Sequence, residues 1–171
     1  VARLTVGKAK YASAETECWQ VIEAGEGLRA ELTQAVELDA AAFDGILRAR
    51  KLPKESEDQK AERAQSIKEA TLQAARVPLE TAQQALEVLK LAVRMAAIGN
   101  LSAISDAAAG AHLALAALKS AGLNVRINLQ GIEQEAEPAQ MLQQLAVFEQ
   151  QAESLMQELE ESLRQRAGLS N

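Results

Sequence analysis

Leu79-Glu-Thr-Ala-Gln-Gln-Ala-Leu-Glu-Val-Leu-Lys-Leu-Ala-Val-Arg-Met-Ala-Ala-Ile98 decides the fold. Leu79, Ala82, Leu86, Leu89, Val93 and Ala96 recur at intervals of three and four, which places them on one face of a helix. Val88, Leu91, Met95 and Ile98 widen that stripe, so the helix is expected to be buried on more than one side and to need other helices around it. Gly99 comes next as a plausible C′ residue, closing the helix in the left-handed conformation that glycine tolerates best.

The neighbouring segments read in the same way. Upstream, Pro78 removes a backbone donor and disfavours the α region at Val77, so the charged helix expected from about Glu57 to Arg76 is kinked or restarted there. Ahead of it, Lys51-Leu-Pro-Lys54 and the residues to Asp58 form a polar connector in which Ser56 can cap that charged helix. From Tyr11 to Arg50 the positions Val21, Leu28, Leu32, Val36, Phe43 and Ile46 predict an amphipathic helix, weakened in its middle by Gly25 and Gly27. Downstream, Asn100 to Asp106 is a turn rich in capping residues. The alanine-rich helix from about Asp106 to Ala121 has residues small enough for close backbone approach and is expected at the centre of a bundle. Asn124 to Leu129 alternates like a strand, but six residues cannot form a sheet alone, so the stretch is a helix continuation or an extended turn. After Pro138, Met141, Leu142, Leu145, Phe148, Ala152, Leu155, Leu159 and Leu163 form a near-heptad stripe that invites a partner helix.

Composition agrees with an all-α, single-domain bundle of long helices spanning residues 1–171. Aromatic residues are only 2% of the chain and three prolines interrupt it, so there is little material for strands and little to break helices. A net charge of −6 repels a phosphate backbone, which argues against nucleic acid as a partner. No apolar run approaches the ~20 residues of a membrane span, and the single cysteine, Cys18, cannot staple the fold. A cytoplasmic protein with no membrane association is expected. The sequence begins at Val1 with no methionine and nothing resembling a targeting peptide, so a segment ahead of Val1 is expected.

The residues that could carry chemistry are polar groups set among apolar ones. Asp39 stands in Leu38-Asp-Ala-Ala-Ala-Phe43 with Asp44 on a different face; either both are solvated or one is turned inward at a cost. Asn100, Ser105 and Asp106 gather at a helix N-terminus, where they act as caps or help hold a ligand against the positive dipole end. If residues 124–128 are extended, Asn124, Arg126 and Asn128 present two amides and a guanidinium on one side. His112 is either a packed helix residue or a chemical one, and a single histidine with a single cysteine builds no metal cage, so no metal site is expected.

Taken in order, Thr5-Val-Gly-Lys-Ala-Lys-Tyr11, Asp39-Ala-Ala-Ala-Phe43, Lys51-Leu-Pro-Lys54, Val77-Pro-Leu79, Gly99-Asn-Leu-Ser-Ala-Ile-Ser-Asp106 and Asn124-Val-Arg-Ile-Asn128 resemble the formimidotetrahydrofolate cyclodeaminase and methenyltetrahydrofolate cyclohydrolase family. The last helix is similar only in character. The resemblance implies a homodimeric helical bundle that binds a one-carbon derivative of tetrahydrofolate near the subunit interface, with no cofactor beyond that substrate. It also implies a glycine-rich loop ahead of Val1. Ala9 departs from the basic or polar residue that many members carry. Both family reactions need a positioned carboxylate or water relay for proton transfer. The resemblance gives that role to Asp106, with Asp39 next. It gives Asn100, Ser105, Asn124 and Asn128 the pterin or the tetrahedral centre, Lys8 and Arg126 the glutamate tail, and Tyr11 a place in the substrate-binding set.

Overall fold

The structure, a computed structural model, describes residues 1–169. Four helices run alternately up and down: α1 (Glu15–Arg50), α2 (Glu57–Ile98), α3 (Ile104–Leu129) and α4 (Ala136–Ala167). Short 3₁₀ turns at Ala2–Leu4, Ala9–Ala14 and Leu101–Ala103 lead into α1 and α3.

α2 is the organising element. Ser56 opens it with a capping box, its hydroxyl accepting the Gln59 N–H at 3.2 Å while the Gln59 side chain accepts the Ser56 N–H at 3.2 Å. The helix then runs unbroken through Pro78 for 42 residues, about 63 Å at the α-helical rise. The expected restart does not occur: the one backbone bond Pro78 removes is its own to the Ala74 carbonyl. Asn128 on α3 donates its amide to that carbonyl at 2.8 Å instead. Beyond Pro78 the wide apolar stripe is buried on several sides, with Leu86, Leu89 and Ala96 at 2% exposure or less. Burying each such leucine stabilises the fold by about 1.5–3 kcal/mol relative to leaving it in water.

α1, α3 and α4 all pack on α2, so α2 and not the alanine-rich helix occupies the centre. α3 buries Ala107, Ala111, Ala114, Leu118, Val125 and Leu129, and the near-heptad stripe of α4 supplies Leu145, Ala152 and Leu159 to the same core. The helix partner that the α4 stripe invites is therefore found within the chain. Residues 124–129 are the last turns of α3, which settles the helix-or-turn alternative. By length and composition Leu101–Leu129 would suffice to cross a membrane, contrary to the expectation that no apolar run approaches that size; here it lies against α2 and α4. Glu17 with Arg94 (2.8 Å) ties α1 to α2, and Arg126 with Glu149 (2.7 Å) ties α3 to α4.

Two details at the end of α2 position the site. Gly99 has φ −74° and ψ −178°, ordinary extended backbone, so the left-handed cap expected there is absent. Glycine is required for space: a Cβ would stand 2.6 Å from the Met95 carbonyl oxygen and 2.8 Å from Val1 Cγ1. The chain start is thus pressed directly against the α2–α3 turn.

Candidate functional site

α1 and α3 both rest on α2 but hardly touch each other. Between them runs a trough of about 720 Å³. Its floor is Val88, Leu91, Ala92 and Met95 of α2; one wall is Val21, Gly25, Arg29, Leu32, Thr33 and Val36 of α1; the other is Asp106, Ala107 and Gly110 of α3; Val1 and Ala2 close one end. Among the described residues only Arg29, Thr33 and Asp106 bring polar side chains to this lining, and Asp106 is its one carboxylate. An apolar cleft with a few convergent polar groups is the usual form of a small-molecule site.

The Asp106 end is the more constructed. Asp106 lies in the first turn of α3, where the helix dipole favours a negative charge. Ser105 beside it is exposed. Asn100 is buried, and its polar atoms are taken up by the protein: Nδ2 donates to the Leu4 carbonyl at 3.2 Å, while Oδ1 accepts the Ser102 N–H at 3.2 Å and the Tyr11 hydroxyl at 3.5 Å. Tyr11 Oη in turn accepts the Leu101 N–H at 3.0 Å. That N–H, followed by the charges of Lys10, Arg166 and Lys8, holds the Tyr11 phenol below the usual tyrosine range. Lys8 and Lys10 are exposed, with Lys10 Nζ 5.6 Å from the centre of the Tyr11 ring.

The remaining expected residues lie elsewhere. Asp106, Gly110, Leu113, Ala117 and Asn124 share one face of α3, but Asn124 is 18 residues further on, about 27 Å along the helix. There it is exposed, one turn before Asn128, which is committed to the Ala74 carbonyl. Because the segment is helical, Arg126 does not join its neighbours; it points to Glu149 of α4, and that pairing leaves it no part in the trough. Asp39 and Asp44 are both exposed on the distal half of α1, so neither is turned inward. Near them Ala42 and Ile46 pack on Ala74 and Val77. His112 is exposed, and Cys18 is fully buried, with desolvation raising its thiol. Among the described residues no three or more histidine, cysteine or carboxylate side chains gather as metal ligands do.

Sequence reading missed four residues. Arg29 and Thr33 reach the trough from positions that read as the solvated face of an amphipathic helix. Thr5, 1% exposed, accepts the Asn100 N–H at 2.8 Å; its one signal was its place at the head of the first motif. Arg166 donates to the Ala96 and Gly99 carbonyls from the end of α4, where a basic residue reads as a simple complement to the helix dipole.

Residues 1–147 match the formiminotransferase-cyclodeaminase family. The methenyltetrahydrofolate cyclohydrolase of Methylorubrum extorquens is 39% identical over 164 residues, covering 96% of this chain and 79% of that protein. The formimidoyltransferase-cyclodeaminase of Sus scrofa is 30% identical over 154 residues, and the match spans only 28% of that longer protein. Among solved structures, the formiminotetrahydrofolate cyclodeaminase of Thermotoga maritima superposes with a TM-score of 0.77 at 28% identity, over 96% of this chain and 78% of that one.

Proposed function

Since the chain belongs to the formiminotransferase-cyclodeaminase family, we propose that it is a one-carbon folate enzyme, acting as a cyclohydrolase or a cyclodeaminase on a tetrahydrofolate derivative. The higher identity to the Methylorubrum extorquens protein, over most of the length of both, favours the cyclohydrolase. The observation that carries the reading in this chain is the trough, an apolar cleft for a flat pterin and its aminobenzoyl arm, with Asp106 as the single carboxylate on its wall.

In the cyclohydrolase reaction, water attacks the methenyl carbon that bridges N5 and N10, and Asp106 takes a proton from that water. The carbon–N5 bond then breaks as N5 is protonated, leaving a formyl group on N10 and releasing one proton overall. In the cyclodeaminase reaction N10 attacks the carbon of the protonated formimino group on N5, the same carboxylate takes the proton from N10 and passes it to the amino nitrogen, and the bond from carbon to that nitrogen breaks as ammonia leaves. Either way Asp106 works as a general acid–base, with Ser105 beside it as a hydrogen-bonding group. The exposed Lys8 supplies positive charge for the glutamate tail in place of Arg126, which is held by Glu149; Arg29, on the trough wall, adds to it with its Nε already on Glu26 at 2.8 Å.

Two further elements belong to the proposal. A homodimer would cover the apolar side chains left on the surface, above all Val36 and Phe43 of α1 with Leu113, Leu123 and Ile127 of α3, and would bring Asp39 and Asn124 next to a partner. A glycine-rich loop ahead of Val1 would enter the trough at the end that Val1 and Ala2 line.

The near-ultraviolet band of 5,10-methenyltetrahydrofolate provides the test. Loss of the band faster than the buffer blank establishes the cyclohydrolase, and its growth from the formimino substrate with ammonia release establishes the cyclodeaminase. Neither change, in folded protein, overturns the reading.

A further inference from the structure

The turn that presents Asp106 begins at Gly99, and it is gripped from both ends of the chain. From the N-terminal side come the Thr5 hydroxyl, the Leu4 carbonyl and the Tyr11 phenol, bonded to the Asn100 N–H, the Asn100 side chain and the Leu101 N–H at 2.8, 3.2 and 3.0 Å. From the C-terminal side, among the described residues, comes Arg166. Arg166, in the last turn of α4, donates one guanidinium nitrogen to the Ala96 carbonyl and the other to the Gly99 carbonyl, the latter at 2.7 Å. The last carbonyls of a helix have no partner within it, and a planar guanidinium can satisfy two of them while fixing the angle between them. Ala96 belongs to the final turn of α2 and Gly99 is the first residue beyond it, so this fork sets the direction in which the chain leaves α2 for Asp106.

We propose that Arg166 is a positioning residue of the folate site: by clamping the Ala96 and Gly99 carbonyls it fixes the turn that carries Asp106 to the trough. The inference rests on the folate-enzyme reading. It extends the working site to α4 beyond residue 147, where the family match ends. Arg166 does not itself line the trough, and its hydrogen bonds go to the turn.

The chain's single tyrosine makes the turn observable without substrate, because its phenolate band titrates one group that is hydrogen-bonded to Leu101 and sits in the field of Arg166. Arg166→Ala should lower kcat by the order of 10- to 100-fold, as misplacement of a reacting group by about an ångström does, with KM changed far less. It should also shift the Tyr11 titration upward. Arg166→Lys keeps the charge but cannot span both carbonyls; it should recover only part of kcat and leave the Tyr11 titration above that of the parent. Arg166→Lys matching the parent in both kcat and titration would reduce the role to charge and overturn the proposal, as would an unchanged kcat in Arg166→Ala. If the parent protein turns over neither folate substrate, the functional reading fails. The Tyr11 titration of Arg166→Lys against the parent then still decides whether Arg166 controls the turn.

Discussion

The two ends of the α1–α2–α3 packing are built on opposite principles. At the Asp106 end, Thr5, Tyr11, Asn100 and Arg166 hold one another and the backbone, and the Asn100 amide and the backbone groups at the start of the turn are engaged within the protein. At the far end, beyond the trough lining, Asn128 closes the gap left by Pro78 and Arg126 pairs with Glu149, while Asp39, Asn124 and Phe43 are exposed. A network that satisfies itself leaves little free for a ligand beyond the exposed Ser105 and Asp106 side chains, and it fixes the backbone that carries them. Such preorganisation is what proton transfer requires. An end with exposed carboxylate, amide and aromatic groups has no fixed geometry of its own and suits a surface completed by another subunit.

The largest expected effect breaks this contrast at its centre. Asp106→Asn should cut turnover by about 10²- to 10⁴-fold, the usual worth of a general acid–base group. The exposed side chain supports no core contact, so the thermal midpoint should barely move. Absorbance kinetics and a circular-dichroism melt on the same preparation separate the two, and turnover within twofold of the parent would remove Asp106 from the chemistry. Asp39→Asn belongs in the same series. In the isolated chain it should do nothing, and any loss of rate should appear only where the proposed dimer forms.

Next in size is the network itself. Asn100→Ala removes the partner of the Leu4 carbonyl and of the Ser102 N–H in a part-buried turn, a loss of about 1–3 kcal/mol in all, since water can reach both groups. Urea denaturation should show a loss in that range, and a loss of rate should accompany it because Asp106 is reached through the same turn. Stability falling with no effect on rate would show that the tight end is structural only.

The far end makes a smaller and more specific prediction. Asn128 donates to the carbonyl that Pro78 fails to bond, so the two residues should be coupled energetically. Asn128→Ala should cost about 1 kcal/mol in the parent. In a Pro78→Ala background, where the backbone N–H returns, it should cost much less. A double-mutant cycle read by denaturation measures the difference directly, and strict additivity would mean that the bond has no bearing on the proline.

That pair also shows how far the sequence was readable. The periodicity from Leu79 to Ile98 announced α2 and the Ser56 cap announced its start, because both signals are local. Pro78 read as a break because the donor that relieves it lies 50 residues away, and nothing within ten residues of a proline reveals such a partner. Asn124, Arg126 and Asn128 formed a plausible trio only for an extended chain; the helix turns Arg126 toward Glu149 and Asn128 toward Ala74. Asp106 was legible as a motif residue at a helix start. Its surroundings were not, because Arg29 and Arg166 are ordinary surface arginines until the helices are laid side by side.

The smallest expected effect separates the two ends by pH. At the tight end α1 is pinned to α2 by Glu17 and Arg94, whose hydrogen bond and charge lower the Glu17 carboxyl below the usual glutamate range. At the far end the same two helices meet through Ala42, Ile46, Ala74 and Val77, which do not titrate. A carboxyl whose folded value is depressed stabilises the fold fully above its unfolded value and loses that contribution as pH falls through the folded one. Both partners are more than a third exposed, so screening limits the pair to under about 1 kcal/mol. Glu17→Gln should therefore be slightly less stable than the parent near neutral pH, and the gap should close as the solution is acidified past the ordinary glutamate range. Hydrogen exchange followed along α1 should then show the N-terminal half of the helix opening before the Ala42–Ile46 segment. The reverse order would mean that apolar contact at the far end, and not the ion pair, is the weaker hold on α1.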